Sequence, residues 1–118
     1  MRLSPRAQIL TKRADFVRAS QALRAPAPGF TLQARVRSDG EAKGVRVGFT
    51  CSKKVGNAVA RNRAKRRLRE VARAVLLAEG QDGWDYVLIG RPKVTAALPF
   101  QQLLDDLSRA LSRVHRTP

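Results

Sequence analysis

A run of cations dominates the chemistry that this sequence offers. The stretch AVARNRAKRRLREVAR, residues 58–73, holds seven arginines and lysines and a single acid, Glu70. Six of the seven cations are arginines, whose planar guanidinium binds phosphate through paired hydrogen bonds and stacks on nucleobases. Like charges so close along one helix repel one another. We therefore expect this stretch to face a polyanion.

Groups suited to acid–base, nucleophilic or metal chemistry are sparse. One cysteine, Cys51, and one histidine, His115, are too few for a closed zinc site. A metal-dependent nuclease needs converging carboxylates, whereas the adjacent Asp105 and Asp106 diverge by about 100° on a helix. Glu-Ala-Lys at 41–43 matches a fragment of some nucleases but lies in a glycine-flanked turn without a placed partner. We predict no catalytic residue and no metal site.

The composition fits one small folded domain with a large positive charge. The chain has 118 residues, 43% of them apolar, and 24 lysines and arginines against 9 acids give a net charge of +15. A chain of this length supports a modest hydrophobic core. The positive electrostatic field of such a net charge attracts polyanions. Nucleic acid is the leading partner class, an anionic membrane surface the second and an acidic protein the third.

No stretch of the sequence predicts membrane insertion or export. No apolar run approaches the roughly 18 residues of a membrane span, and the N-terminus lacks the apolar segment of a signal peptide. A single cysteine forms no intramolecular disulfide, so the cytoplasm is the simplest compartment. We predict one cytoplasmic RNA-binding domain over residues 1–118, with residues 1–10 as a flexible basic arm and no obligate protein partner.

Hydrophobic periodicity predicts an α/β (α+β) two-layer sandwich, with three helices on a mixed sheet of about four strands. A first helix over 12–23, capped by Thr11, is followed by a Pro/Gly connector over 24–29. Residues 30–36 and 45–52 alternate as half-buried strands, expected to be antiparallel neighbours, and the apolar segment 84–90 predicts an interior strand. Residues 91–99 are predicted to form a loop, and an amphipathic last helix is predicted to begin at Pro99.

The basic segment is predicted to be a helix that runs from an Asn57 cap to about Gly80. Its apolar residues fall within a sector of about 80°, and their burial offsets the charge repulsion. The opposite side holds Asn62, Arg66, Arg69 and Arg73, with Lys65 close by, Arg61 on one flank and Arg63 and Arg67 on the other. The predicted apolar stripe comprises Ala60, Ala64, Leu68, Val71 and Val75.

Alternatives to RNA binding fit this helix less well. A solvated helix face normally mixes charges of both signs, and a nuclear-localisation signal of the type RAKRRLR needs no apolar stripe. A DNA-recognition helix needs base-reading groups at its N-terminus, and NAVARN supplies few. Folded RNA, with irregular phosphate clusters and unstacked bases, is the better match.

The segment GFTCSKKVGNAVARNRAKRRLRE, residues 48–70, resembles the signature of the bacterial ribonuclease P protein subunit. Its core is Arg61-Asn62-Arg63, and KRADFVRA before it and DYVLIGRP after it extend the resemblance to about residues 10–115. A ribosomal-type RNA-binding protein without a processing role matches composition and charge equally well. The extended block in its order favours the ribonuclease P family.

The resemblance implies a fold, a partner and a reaction. The fold would be a sandwich like domains of some ribosomal proteins and translation factors, with a left-handed βαβ crossover, against the usual right-handed rule. The ribonucleoprotein would remove the 5′ leader of precursor tRNA, with a catalytic RNA and with Mg²⁺ bound mainly by that RNA and the substrate. This chain would be the non-catalytic subunit that binds ribonuclease P RNA and the leader.

The family's functional residues carry over by position. Phe16 would either stack on a leader base or pack in the core. The chain departs from family patterns at Ser20 and Gln33, where some members have aromatics, and at Arg67, where an apolar residue is common. The resemblance implies RNA-subunit contacts from Asn57, Arg61, Asn62, Arg63, Lys65, Arg66, Arg69 and Arg73, and leader contacts from Phe16, Lys53, Lys54, Arg61 and Arg91.

Overall fold

A mixed sheet of five strands lies at the centre of the computed structural model, which describes residues 8–38 and 44–116. The strands follow the spatial order β1-β4-β5-β3-β2, and β5 is antiparallel to β3 and parallel to β4. The prediction that 84–90 is an interior strand is confirmed. The strands are β1 (Gln8–Ile9), β2 (Leu23–Pro26), β3 (Phe30–Val36), β4 (Arg46–Cys51) and β5 (Trp84–Gly90).

Helices cover both faces of this sheet. The helices are α1 (Arg13–Ser20), α2 (Ala58–Glu79), α3 (Val94–Ala97) and α4 (Phe100–Arg116), with a 3₁₀ turn at Lys53–Val55. The α2 and α4 helices pack side by side on one face, α2 over β4 and β5 and α4 over β2 and β3. The α1 helix packs on the other face, where Phe16 and Ala19 meet Val87 and Ile89 of β5. The predicted α/β class is confirmed, and α1 adds a partial layer.

The apolar stripe of α2 is buried in the main core. Leu68 and Val71 are fully buried, and Val75 is nearly so. Ala72 and Leu76 are buried as well, because α2 packs against both the sheet and α4 and so needs a wider apolar sector than one contact surface demands. Burial of these side chains, at about 25 cal/mol per Å² of apolar area, holds the highly charged helix in place.

Two predictions about the sheet are wrong. Strand β3 is buried on both sides, since α1 covers the face that carries Thr31 and Gln33, which are 5% and 8% exposed. Strands β3 and β4 are not neighbours, because β5 lies between them and pairs with each. Strand β5 is apolar on both faces, whereas the sequences of β3 and β4 alternate between apolar and polar residues. The central position, covered on both faces, therefore suits β5 best.

Three local predictions are corrected. The first helix ends at Ser20, because the following residues pair with β3 as the edge strand β2, which tolerates Pro26 where a central strand would not. Thr11 is not its cap; Lys12 holds the N-cap position without a side-chain hydrogen bond. The predicted loop 91–99 contains α3, and α4 begins directly after Pro99.

The β4–α2–β5 segment joins two adjacent parallel strands through a helix, which makes it a βαβ unit. Its left-handed course stays a prediction from the resemblance. Part of the predicted flexible arm is ordered, since β1 pairs in parallel with β4. Residues 1–7 and 39–43 lie outside the described residues; the second range includes Glu-Ala-Lys and most of the turn predicted over 37–44. Within them, no helix combines the length and apolar character needed to cross a membrane.

Candidate nucleic-acid interface

The polar and basic side chains on the exposed side of α2 form two rows. The outward row, Asn62, Arg63 and Arg66, is exposed and lines a shallow groove together with Val59, Arg67 and Glu70. The β4-side row, Arg61, Lys65 and Arg69, repeats every four residues and leans towards β4. The last member of this row is Arg69, whose guanidinium carbon lies 5.6 Å from the centre of the Phe49 ring. We call the two rows together the basic face.

The start of α2 is tightly fixed. Asn57 Oδ1 accepts a hydrogen bond from the backbone N–H of Ala60 at 3.0 Å, which confirms the predicted cap. Arg61 Nη1 donates to the carbonyl of Gly56 at 3.0 Å, so its side chain folds back over the helix terminus. Gly56 has a φ of 138°, which disfavours other residues there. Asn57 therefore has a structural role apart from any contact with RNA.

Cys51 lies beside this terminus at the end of β4. Burial raises the pKa of its thiol, and the hydrogen bond with Gly90 and the positive charges of Lys65 and Arg61 offset this only in part. The thiol therefore stays protonated at neutral pH. It is a sheet residue beneath the β4-side row rather than a reactive nucleophile.

Two arginines of α2 are drawn away from the outward row. The Arg67 guanidinium donates to the carbonyls of Ala96 and Leu98, which ties α2 to the end of α3. Arg73 is half-buried in a pocket between α2 and α4 with Leu77 and Phe100. Its predicted place among the outermost cations is therefore wrong, because Phe100 of α4 reaches over this part of α2. Arg66 and Asn62 are exposed as predicted.

A cleft of about 490 Å³ separates α1 from the sheet. Phe16 and Ser20 line it from α1, and Gln33, Thr50 and Ile89 form part of its floor. Apolar and polar groups thus alternate along a concave surface on the face of the sheet opposite α2. We call this surface the α1 cleft.

The ring of Phe16 lies directly on β4 at Gly48. A Cβ atom at position 48 would lie 2.6 Å from Phe16 Cε1 and Cζ, and 3.1 Å from Cβ of Leu10, far inside normal contact distance. Phe16 is half-buried and lines the cleft, so its ring is both packed and accessible. Gly48 was not singled out from the sequence, since only the position of the Phe16 ring shows that a side chain is excluded there.

Gln33 supplies hydrogen-bonding groups to the floor of the cleft. The residue is 8% exposed, and its amide makes no side-chain hydrogen bond to any described residue. Its amide atoms are not among the enclosed atoms without partners and face the cleft, and both groups suit the edge of a nucleobase. The strand alternation predicted which way Gln33 points but not that α1 would enclose it.

Parallel pairing brings Lys53, Lys54 and Arg91 to one end of the sheet. Cys51 of β4 pairs with Gly90 of β5, and the three cations follow directly after these strand ends. The two lysines are exposed, with Ser52 Oγ accepting from the backbone N–H of Lys54 at 3.3 Å. None of the three lines the α1 cleft itself, but all follow strand residues that do.

Arg91 is held on the cleft side of the sheet. Its Nη2 donates to Thr31 Oγ1 at 3.0 Å, and its backbone N–H donates to Thr95 Oγ1 at 2.7 Å. Thr95 is itself fixed by donating to the carbonyl of Gly29 at 2.6 Å. This chain of contacts orients the Arg91 guanidinium beside the cleft.

A buried ionic cluster that sequence reasoning missed supports the opposite end of β5. Asp85 is fully buried and accepts from Arg46 Nε and Nη2, both at 2.8 Å, and from Arg37 Nη1 at 2.6 Å. Burial alone would raise the pKa of Asp85, but the hydrogen bonds and charges of Arg46 and Arg37 outweigh it and lower that pKa. Asp15 of α1 lies 3.5 Å from Arg46 Nη2, so the cluster also anchors α1.

Within residues 8–38 and 44–116, no three histidine, cysteine or acidic side chains come together as a metal site. The buried carboxylates of Asp15 and Asp85 share Arg46 instead. The described donor set therefore does not fit a resident Mg²⁺ ion.

Comparisons with known proteins agree with this geometry. The profile of the family described as Ribonuclease P matches residues 4–115. The chain is 65% identical to the ribonuclease P protein component of Ruegeria pomeroyi, over 91% of this chain and 86% of that protein. It is 51% identical to the ribonuclease P protein component of Paramagnetospirillum magneticum, over 95% of this chain and 86% of that protein.

Solved structures show the same fold. The ribonuclease P protein from Thermotoga maritima superposes with a TM-score of 0.72 at 27% identity, covering 88% of this chain and 94% of that one. The protein from Staphylococcus aureus gives 0.70 at 26% identity, covering 90% and 94%. Together with the sequence matches, these similarities show that the chain belongs to the family of bacterial ribonuclease P protein components.

Proposed function

We propose that this protein acts as the non-catalytic subunit of ribonuclease P in the cytoplasm. The basic face of α2 binds the catalytic RNA, and the α1 cleft holds the 5′ leader of precursor tRNA. The observation that carries the proposal is the presence of two different surfaces on opposite faces of one sheet. One is a row of exposed arginines suited to folded RNA, and the other is a narrow cleft suited to a single strand.

The basic face suits a folded RNA. Arg63 and Arg66 are exposed and make no hydrogen bond to other described residues, so their guanidinium groups are available for phosphates. Binding of this kind displaces counterions, so the affinity should fall steeply as salt is raised. The roles assigned to Asn57, Arg61, Asn62, Arg63, Lys65, Arg66, Arg69 and Arg73 belong to this proposal, with Arg73 placed at the margin by its partial burial.

The α1 cleft suits an extended leader strand. The accessible side of the Phe16 ring offers a stacking platform, worth about 1–3 kcal/mol per base in other single-strand binders. Lys53, Lys54 and Arg91 lie where the strand would leave the cleft and would contact its phosphates. Arg61 donates a hydrogen bond to the carbonyl of Gly56, which follows the end of β4, so it lies near the same strand ends. This position supports its assignment to both surfaces.

Leader cleavage depends, in this proposal, on Mg²⁺ bound mainly by the RNA subunit and the substrate. The described carboxylates do not form a metal site, so no catalytic step is assigned to a side chain of this protein. Its contribution is to position the leader and to neutralise phosphate repulsion between two RNAs. The proposal includes no membrane contact and no obligate protein partner.

Reconstitution tests the proposal directly. The protein is mixed with a bacterial ribonuclease P RNA and a precursor tRNA, at a Mg²⁺ concentration at which the RNA alone is slow. We expect cleavage at the mature 5′ end to be restored by the wild type and lost with Arg63→Ala/Arg66→Ala. The control is Arg24→Ala, an exposed cation of β2 that is not on α2 and is not among the residues that line the α1 cleft. Tight binding to structured RNA without any stimulation would contradict the proposal and favour a ribosomal-type role.

A further inference from the structure

The outer side of α4 carries a cationic groove that neither surface described above includes. Arg109, Arg113 and Arg116 line it from α4, and residues 26–28, the turn between β2 and β3, form its other wall. The spacing of three and four residues places the arginines on one side of the helix. Asp106 is the only acid among the described residues that line this groove.

Two of these arginines are oriented by the protein. Arg109 Nη2 donates to Asp106 Oδ1 at 2.7 Å, yet the Arg109 side chain remains 70% exposed while that of Asp106 is 5% exposed. Arg113 Nη2 donates to the carbonyl of Pro26 at 2.9 Å, which joins α4 to the turn. The guanidinium of Arg109 is thus anchored at one atom and free to bind a ligand with the others.

The second oxygen of Asp106 adds an unusual feature. Oδ2 is enclosed and has no hydrogen-bond donor among the described residues. Leaving a buried carboxylate oxygen without a donor is costly. With three arginines against this one carboxylate, the groove keeps a net positive charge that suits the phosphates of RNA.

The position of the groove identifies which RNA would reach it. The α4 helix packs beside α2 on one face of the sheet, whereas the α1 cleft lies on the other. The α4 groove and the basic face therefore belong to the same helical layer, the groove beside β2 and the basic face towards β4. Arg109 and Arg116 lie about 10 Å apart along the helix, so they would contact different phosphates of one backbone.

We propose that this α4 groove is a second contact site for the RNA subunit, in addition to the basic face. The inference rests on the proposed function, because it takes the RNA subunit as the partner. It extends the contact surface from one helix to two and assigns a binding role to Arg109 and Arg116.

Two variants test the groove. Arg116→Gln removes an exposed cation, and Arg109→Gln/Arg116→Gln removes two; the single variant leaves the Asp106 pair intact and guards against a folding defect. Affinity for the RNA subunit is measured over a range of salt concentrations. We expect losses of about three- to tenfold for the single variant and larger for the double, with the salt dependence reduced by about one log–log unit per arginine. Arg24→Gln, on the opposite face of the sheet, should bind like the wild type.

Arg66→Gln separates failure of this proposal from failure of the proposed function. If Arg66→Gln weakens binding while both α4 variants bind as tightly as the wild type with the same salt dependence, the groove is not a contact site. If the wild type itself does not bind the RNA subunit, the proposed function fails and this inference with it. Loss of binding to anionic phospholipid vesicles by the α4 variants, with RNA binding unchanged, would overturn the proposal in favour of a membrane surface.

Discussion

The hydroxyl oxygen of Tyr86 lies 2.7 Å from Nε2 of His115, which joins β5 to the last turn of α4. The same hydroxyl accepts a hydrogen bond from the backbone N–H of Gln81 at 2.9 Å, and its own proton is available to donate to His115. Burial lowers the pKa of His115, which favours the neutral imidazole, and in the tautomer with an unprotonated Nε2 this nitrogen accepts that proton. The only histidine of the chain closes the α2–β5 connection against the C-terminal helix.

Lowering the pH should weaken this connection. Burial lowers the pKa of His115 below its ordinary value of 6.5, although the charge of Glu79 opposes the shift. Below pH 6.5 the unfolded chain takes up a proton that the folded chain resists, so stability falls as the pH drops towards the folded-state pKa. Thermal melts between pH 7.5 and 5 should show this loss in the wild type and a smaller one in His115→Gln. Equal slopes for both proteins would contradict the neutral assignment.

Gly48→Ala should disturb the α1 cleft more than the basic face. The added methyl group would displace the Phe16 ring from β4, at a cost of about 1–3 kcal/mol for overpacking. We expect the reconstituted enzyme to lose affinity for precursor tRNA with a leader while its affinity for mature tRNA is unchanged. Gly83→Ala is the control for destabilisation alone: no atom lies within 4 Å of its Cβ position, but its φ of 85° strains an alanine, so it should lower stability without changing the preference for a leader. An unchanged preference for the leader would exclude Phe16 as a leader contact.

Gln33→Leu should separate stability from recognition. The amide makes no side-chain hydrogen bond to a described residue, so replacing it by an apolar side chain of similar size should leave the melting temperature nearly unchanged. If the amide reads a leader base, the same variant should reduce the difference in cleavage rate between leaders that differ at a single base. A lowered melting temperature with unchanged base dependence would instead show that Gln33 is a structural residue.

Arg63→Ala and Leu68→Ala should have opposite effects on binding and folding. Arg63 is exposed, so its loss should weaken binding to the RNA subunit without changing the melting temperature. Leu68 is fully buried, and its truncation should cost about 2–5 kcal/mol of stability. Arg61→Ala should combine a binding loss with a small destabilisation, since Arg61 also bonds to Gly56. A melting temperature for Arg63→Ala as low as that of Leu68→Ala would reverse the assignment of faces.

Asp85→Asn should destabilise the fold without directly affecting either surface. The substitution removes the charge of the buried carboxylate that Arg37 and Arg46 share, at a cost of about 3–5 kcal/mol. Because the pKa of Asp85 is lowered below its ordinary value of 3.8, its contribution is present above that pH and is lost as the pH falls through the folded-state pKa. Denaturant unfolding at pH 7 and pH 3 should therefore show a smaller difference for the variant than for the wild type.

Patterns confined to one element were predicted well from the sequence. The apolar stripe of α2, the Asn57 cap and the central position of β5 follow from local spacing and composition, and the structure confirms them. Features that depend on how distant elements meet were not predictable in this way. The insertion of β5 between β3 and β4, the burial of Gln33 by α1 and the Asp85 cluster each require knowledge of which strands pair.

The candidate site residues also divide into those that local sequence identifies and those whose position depends on contacts between distant elements. Resemblance to a family identified Phe16, Lys53, Lys54 and Arg91 by position, and parallel pairing of β4 with β5 explains why three of them lie together. Neither spacing nor resemblance singled out Gly48, because its importance depends on a ring that packs from another element. Arg73 was misplaced for a similar reason, since a regular helical wheel does not include Phe100 of a neighbouring helix.

The two sides of strand β4 support two different surfaces. Phe49 and Cys51 face α2 and its cations, while Gly48 and Thr50 face α1 and the cleft. Side chains alternate along a strand, so a shift of register by one residue would exchange the two sides completely. Insertion or deletion of a single residue within 46–52 would therefore disrupt the packing beneath the basic face and the floor of the α1 cleft at once. The length of this segment is thus constrained more strictly than the identity of most of its residues.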